Sequence, residues 1–247
     1  MHLILTGATG LVGSGVLRHM IETPSISKVS VLSRRPVPQA EGHEKVHVII
    51  QPDFNTYTSE ILAQIKDAEG CVWAQGISVT QVTKEEYLKI TYDYPLAAAK
   101  AFAALPDPPK PFKFVYVSGE GATTSPGMFT AHFGVIKGRT EAALLALSKE
   151  SPYANLRPYS LRPAGVDPTL HTEIQEWIAP AQGYLKAFRA LSPAFRALTP
   201  SLISPTKDLA RVLTDLAMGN GEPLEGKGVE GEGRTISNVG MRRLAGI

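Results

Sequence analysis

The residues best spaced for chemistry stand at the start of the chain, in the run Thr6-Gly7-Ala8-Thr9-Gly10-Leu11-Val12-Gly13. A short apolar segment, residues 3–6, precedes it. A segment with apolar residues at helical spacing, Leu11–Glu22, follows it. A glycine motif is informative in that strand-to-helix context. Gly7 permits a tight turn, Gly10 lets the backbone approach a pyrophosphate, and Gly13 allows close helix–sheet packing. The helix start at Thr9, Leu11 and Val12 then offers free N–H groups and a partial positive charge to phosphates. The spacing predicts that a dinucleotide binds here.

The next chemically distinctive residues end the second apolar run, Val31-Leu32-Ser33-Arg34-Arg35-Pro36. Sites selective for NAD place a carboxylate at this point to hold the ribose 2′-hydroxyl. Ser33 and two arginines stand here instead, and a guanidinium suits a 2′-phosphate through charge-assisted, bidentate hydrogen bonds. NADP(H) is therefore the expected cofactor, unless both arginines are ordinary surface charges. Asp53 and Phe54 follow the third apolar run, where an acidic or apolar residue can meet an adenine. Ala74, Gln75 and Gly76 follow the fourth and can bring backbone against the cofactor.

The elements that must carry these residues alternate regularly. Strands are predicted at residues 3–6, 28–33, 46–50, 70–74, 112–117 and 156–161, and helices at 11–22, 57–66, 84–105 and 131–150. Pro106, Pro108 and Pro109 are expected to end the helix at 84–105. This alternation predicts an α/β, Rossmann-type, doubly wound parallel sheet covered on both faces. Beyond Arg162 the pattern changes. Residues 163–205 hold six prolines and a short echo, Phe188-Arg189-Ala190-Leu191-Ser192-Pro193 followed by Phe195-Arg196-Ala197-Leu198-Thr199-Pro200. The echo predicts two short helices packed on the core, or a lid with Lys186, Arg189 and Arg196 on its polar side. A further helix is expected at 206–218, capped near Ser204 and Thr206 with Asp208 in its first turn. A glycine-rich loop at 219–233 and a last strand at 234–239 follow. The whole, residues 1–247, is expected to form one domain, with 165–205 and 219–247 contributing a small, mostly helical cap on the substrate side.

Composition narrows the function classes. With 247 residues, 25 basic and 23 acidic side chains and a net charge of +2, nothing drives the chain globally toward nucleic acid or membrane, and neither partner is expected. Cys71 is the one cysteine, which excludes an internal disulfide and fits a reducing, cytoplasmic setting. No secretory signal is expected ahead of the glycine motif, and no apolar run is long enough to suggest a membrane span. The six histidines, His2, His19, His43, His47, His132 and His171, show no ligand spacing, so no metal is expected. Val117-Ser118-Gly119 lacks the first glycine of a nucleophile elbow.

Together these residues resemble the short-chain dehydrogenase/reductase superfamily, and the Gly7/Gly10/Gly13 spacing resembles its extended and atypical branches. Val115-Tyr116-Val117-Ser118-Gly119-Glu120-Gly121-Ala122 and Lys137-Gly138-Arg139-Thr140-Glu141 look like the atypical group related to the Tat-interacting protein, and more loosely to NmrA-like proteins. Arg162-Pro163-Ala164-Gly165-Val166 resembles the turn that passes the nicotinamide, which implies Pro163, Gly165 and Val166 as cofactor contacts. The resemblance spans about residues 1–170. It implies reduction of carbonyls or oxidation of alcohols by a Ser, Tyr and Lys. The lysine, here Lys137, would hold the nicotinamide ribose and lower the tyrosine pKa.

This chain departs from that pattern where the tyrosine belongs. The position four before Lys137 is Phe133, which has no proton to give. The usual serine position falls on Gly119, with Ser118 one residue before it and still able to serve. His132, Tyr116, Glu120 and Asp167 are the candidates to replace the missing acid, with His132 open to a solvent or structural role instead, unless the substrate, such as an iminium or activated alkene, takes hydride without a protein acid. The expected function is an NADP(H)-dependent oxidoreductase acting on a small organic substrate, with Lys137, Ser118 and His132 as catalytic candidates. Two rivals stand beside it: a cofactor-binding redox sensor without turnover, and a non-redox isomerase, lyase or cyclase reusing the fold. The long helices at 84–105 and 131–150 could pair subunits in a homodimer.

Overall fold

The computed structural model describes residues 1–105, 110–181 and 183–247. Its first half follows the predicted alternation: β1 (His2–Thr6), α1 (Leu11–Glu22), β2 (Lys28–Ser33), β3 (Val46–Ile50), α2 (Ser59–Ile65) and β4 (Gly70–Trp73). Then come α3 (Lys84–Leu88), α4 (Tyr94–Ala103), β5 (Phe112–Val117), α5 (His132–Leu147) and β6 (Leu156–Leu161). The main sheet runs β3-β2-β1-β4-β5-β6, with all neighbours parallel. The chain winds outward from β1 to β3 and returns on the other side of β1 at β4. That reversal is the topological switch point of a doubly wound sheet, where ligands bind outside the carboxyl ends of the strands.

Alternation along each strand builds two cores. Leu3 and Leu5 of β1, Val72 of β4 and Val115 of β5 face the layer that includes Val16, Leu17, Leu209 and Leu213. Ile4, Cys71, Trp73, Phe112, Phe114 and Tyr116 face the opposite layer, with Ala98, Phe102 and Leu144. A parallel sheet buried on both faces needs apolar residues at every position, which is why these strands read as continuous apolar runs.

The helix expected over residues 84–105 is three pieces. α3 gives way to a π-helical segment, Lys89–Asp93, and α4 then starts with Pro95 in its first turn. Proline lacks the N–H that a continuous helix would need at this point, and its ring crowds the preceding turn. Pro106, Pro108 and Pro109, expected as the stop, lie outside the described residues.

Beyond β6 the chain forms β7 (Gly165–Asp167), α6 (Tyr184–Leu198), β8 (Ile203–Pro205) and α7 (Thr206–Met218), then β9 (Val229–Glu230), β10 (Thr235–Ile236) and α8 (Asn238–Ala245). β7 and β8 pair in a separate two-stranded sheet. The echo expected as two helices is one, α6, with Pro193 inside it. Seven residues make nearly two helical turns, so Phe188 and Phe195 share a face, where their rings stack with centroids 5.9 Å apart. The side-chain cap expected for α7 is absent, because the capping position falls on Pro205, which has no side-chain acceptor, and Ser204 one residue earlier is engaged elsewhere. It donates to Asn238 Oδ1 at 2.6 Å and accepts from the Ala164 N–H at 2.9 Å. Within 219–247, β10 joins the main sheet beside β6 and β9 pairs antiparallel to it. The last strand ends at Ile236, and α8 begins behind a Ser237 cap.

Candidate functional site

The glycine run forms the turn its spacing predicts. Gly7 has φ +71°, a conformation that disfavours any side chain, and a Cβ there would strike the Ala74 carbonyl. A Cβ on Gly13 would strike the Gly7 backbone, so glycine at both positions lets β1, β4 and α1 converge. Gly10 donates to the Gly7 carbonyl at 2.9 Å. No side chain caps α1 and no acidic residue lies in its first turn, which leaves the positive helix end open.

In front of this turn lies a cleft of about 480 Å³ lined by Gly7, Thr9, Gly10, Ser33, Arg34, Arg35, Phe54, Ala74, Gln75 and Gly76, with Leu32 at its base. It sits at the switch point between β1 and β4, and no carboxylate is among the described residues that line it. Arg34 and Arg35 are exposed. The Arg35 Nη2 reaches Thr9 Oγ1 at 3.2 Å, and its backbone N–H donates to Ser33 Oγ at 3.3 Å. Gln75 is tied by its N–H to Thr6 Oγ1 at 3.3 Å, while its Oε1 is buried without a partner. A close glycine cradle, an open helix end, two guanidinium groups and an orphaned amide oxygen together fit a phosphate-bearing dinucleotide.

Several expected contacts stand apart from this cleft. Asp53 turns its Oδ1 to the Asn55 N–H at 3.1 Å, capping a turn, and Phe54 alone of that pair lines the cleft. Leu11 and Val12 offer their backbone in the first turn of α1 and are absent from the lining. Pro163 is buried, with its carbonyl accepting from the Glu120 N–H at 2.9 Å. Gly165 and Val166 belong to β7, and a Cβ on Gly165 would strike the Phe188 ring.

Two of the three catalytic candidates, Lys137 and Ser118, meet at the end of β5. Lys137 Nζ donates to the Val117 carbonyl at 3.1 Å and to the Ser118 carbonyl at 2.9 Å, and lies 5.6 Å from the Tyr116 ring centre. Burial holds its pKa down to about 8, against the opposing pull of Glu141. Ser118 is buried and donates to Glu141 Oε1 at 2.5 Å. Glu141 in turn receives Arg162 Nε at 3.0 Å and Arg162 Nη2 at 2.6 Å. Sequence reasoning passed over Glu141 and Arg162 as a pair. The available signal was Glu141 four residues after Lys137, on the same helical face. It also passed over Gly134 and Gly138, where a Cβ would strike the Gly121 and Thr123 carbonyls. Those two glycines let the loop after β5 lie against α5 and bring Lys137 to its carbonyls.

None of the candidate replacement acids points a free proton at this group. Tyr116 donates to the Thr91 carbonyl at 3.3 Å, and burial raises its pKa. Glu120 accepts the Asn238 N–H at 2.7 Å, and Asp167 pairs with Arg196 at 3.1 Å. His132 opens α5 with its ring 5.9 Å from Tyr87 and its Nε2 buried without a partner. Phe133 packs over Gly121. Among the described residues, no group of three or more His, Cys, Asp or Glu could hold a metal ion, and no helix is long and apolar enough to cross a membrane.

This sheet order and site define the short-chain dehydrogenase/reductase fold. An oxidoreductase of that family from Burkholderia thailandensis superposes with a TM-score of 0.67 at 14% identity, over 99% of this chain and 92% of that one. MoeE5, solved in complex with UDP-glucose and NAD, superposes at 0.61 and 18% identity over 89% and 73%. The chain belongs to the same family as leucinostatins biosynthesis cluster protein T of Purpureocillium lilacinum, to which it is 40% identical over 196 residues, 73% of this chain and 70% of that protein. It is also 45% identical over 83 residues to botcinic acid biosynthesis cluster B protein 16 of Botryotinia fuckeliana, covering 33% of this chain and about half, 51%, of that protein. Protein FMP52, mitochondrial, of Meyerozyma guilliermondii is 33% identical over 148 residues, 60% of each chain. No family model matches the chain.

Proposed function

We propose that the protein is an NADP(H)-dependent oxidoreductase of short-chain dehydrogenase/reductase type, acting on a small organic substrate beneath the cap formed by residues 165–205. The observation that carries this reading is the cleft at the switch point, where Arg34 and Arg35 stand and no carboxylate is among the described residues of the wall. Its kinship with two biosynthesis cluster proteins supports a small-molecule substrate. When bound, NADP(H) supplies a hydride donor or acceptor. The turn from Gly7 to Gly13 and the open end of α1 hold its phosphates, and Arg34 and Arg35 bind the 2′-phosphate. Lys137 has three N–H donors and spends two on carbonyls, so one remains for a ribose hydroxyl. Ser118 gives its only hydrogen to Glu141 and presents lone pairs to its surroundings.

A second reading, a cofactor-binding sensor without turnover, is favoured by one feature. Phe133 and the committed Ser118 hydrogen remove both proton donors of the usual relay, and a positioned acid is worth about 10²–10⁴ in rate. Calorimetric titration with NADPH and NADH tests the cofactor, and tighter binding of NADH would overturn the role given to Arg34 and Arg35. Assaying ketones and aldehydes with NADPH, in the wild type and in Phe133→Tyr, tests the relay. The oxidoreductase reading expects the variant to gain carbonyl reduction, whereas the sensor reading expects neither protein to turn over.

Within this proposal the protein works in the cytoplasm as a homodimer, without nucleic-acid or membrane partners. The mitochondrial designation of the FMP52 relatives points the other way on location. Imaging a fluorescent fusion against a mitochondrial marker decides between them.

A further inference from the structure

We propose that α6 packs antiparallel against α6 of a second copy of this chain, about a two-fold axis that passes between Leu191 and Ala194. The proposal rests on the homodimer of the proposed function for the presence of two copies, and it names the face that joins them.

The apolar stripe of α6 is wider than the surface it packs on. Phe188 and Phe195 turn inward, where their rings stack with centroids 5.9 Å apart and Phe188 lies against Gly165. Leu191 and Leu198 each follow one of these rings by three residues, about 60° further round the helix, and are 54% and 81% exposed. Ala187 and Ala194 share that outer edge and are exposed too. Among the described side chains of α6, Lys186 is the only exposed one that is not apolar. The helix cannot roll the leucines inward. Ser192 is fully buried on the inner side, and Arg196 pairs with the buried Asp167 at 3.1 Å. A helix edge so apolar and so fixed belongs against a second body.

The order of side chains along the edge says which body. Ala187, Leu191, Ala194 and Leu198 follow one another at spacings of four, three and four, the seam of a helix pair. Small and large residues alternate along it. The two-fold axis sets Leu191 opposite the partner's Ala194 and Leu198 opposite the partner's Ala187, so large meets small from end to end. Such a contact is isologous and self-complementary, and the alanines let the two helices approach closely. The edge holds no carboxylate or guanidinium for a charged partner to pair with. The two copies of Lys186 would lie about 20 Å apart along the axis, beyond the roughly 8–10 Å over which salt screens their repulsion. A lipid surface fits less well, since it favours a helix with free basic side chains and large apolar ones, whereas here Arg196 is held by Asp167 and half the edge is alanine.

Sedimentation equilibrium over a range of concentrations tests this on the wild type, Leu191→Glu and Leu198→Glu, together with thiol cross-linking of Ala194→Cys and Lys100→Cys. Cys71 is the one natural cysteine and is buried, so the introduced thiol reports alone. The expected result is a wild-type dimer, a dissociation constant raised about tenfold or more in each glutamate variant, and a disulfide-linked dimer when Ala194→Cys is oxidised. Both leucines are exposed within the chain, so the glutamate variants should keep the wild-type Tm of the monomer fold. A wild-type monomer at every concentration overturns the proposal and the homodimer together. A dimer that withstands both glutamate changes, or that cross-links through Lys100→Cys on α4 and not through Ala194→Cys, overturns the proposal and leaves the homodimer standing. Co-sedimentation of a monomer with phosphatidylserine–phosphatidylcholine vesicles, lost in Leu198→Glu, would give the edge to a membrane and overturn the proposal as well.

Discussion

Ser118 donates its hydroxyl hydrogen to Glu141 Oε1 at 2.5 Å, joining the end of β5 to the middle of α5 through a buried carboxylate. Glu141 is held from its other side by the fork of Arg162, whose pKa the Glu141 hydrogen bonds raise further. The three side chains fix the loop that carries the Lys137 carbonyl partners.

The first prediction concerns that network. Removing one partner of a buried ion pair strands the other charge and costs about 3–5 kcal/mol. Glu141→Gln should therefore lower the stability measured by urea denaturation by an amount in that range, since exposed Glu230 at 3.2 Å is then the carboxylate left to pair with Arg162. A loss below about 1 kcal/mol, the usual worth of a surface pair, would show that water reaches Arg162 freely.

Lys137 supplies a pH dependence. Burial disfavours its ammonium form and sets its pKa at about 8 in the folded protein, below the ordinary 10.5. Between those values the unfolded chain binds more protons than the folded one, so this group makes stability rise with pH from about 8 to 10.5. Lys137→Met should flatten that rise in denaturation profiles taken across the window. Competitive acylation should show Lys137 reacting with a midpoint of about 8. A midpoint shared with the surface lysines would disprove the burial argument.

Gly13 faces the Gly7 backbone with no room for a methyl group. Gly13→Ala should push α1 off the turn, costing about 1–3 kcal/mol by overpacking and abolishing detectable NADPH binding. Denaturation and calorimetry on the same sample separate the two effects. A variant that binds NADPH normally would mean that α1 need not approach the turn so closely.

Arg35 should discriminate between the two cofactors. A hydrogen bond to a charged group contributes about 1.5–3 kcal/mol, so Arg35→Ala should weaken NADPH by roughly tenfold or more and leave NADH nearly unchanged. Equal weakening of both would indicate that Arg35 acts only through its 3.2 Å contact with Thr9 in the glycine turn.

Local pattern explains which of these features were legible in advance. α1, β2, β3, β5, β6 and α7 lie at their predicted bounds because periodicity and breakers belong to consecutive residues. The glycine turn was legible for the same reason, since strand, turn and helix follow one another directly. The break at residues 89–93 was visible in Pro95, but the alanine-rich pattern around it masked the signal. The echo at Phe188 and Phe195 misled, because a repeated motif can mark two turns of one helix as readily as two helices.

By itself, then, the sequence determined a doubly wound sheet, a glycine turn between β1 and α1 with two arginines after β2, and a phenylalanine at position 133. Only the tertiary structure decided that Asp53 turns away from the cleft and that Ser118 is spent on Glu141. It alone left Leu191 and Leu198 of α6 facing outward. Ser118 and Glu141 lie 23 residues apart, and Arg162 lies 21 beyond Glu141. Which of such distant side chains meet depends on strand order and on how closely α5 packs. Neither is written in the spacing of neighbouring residues.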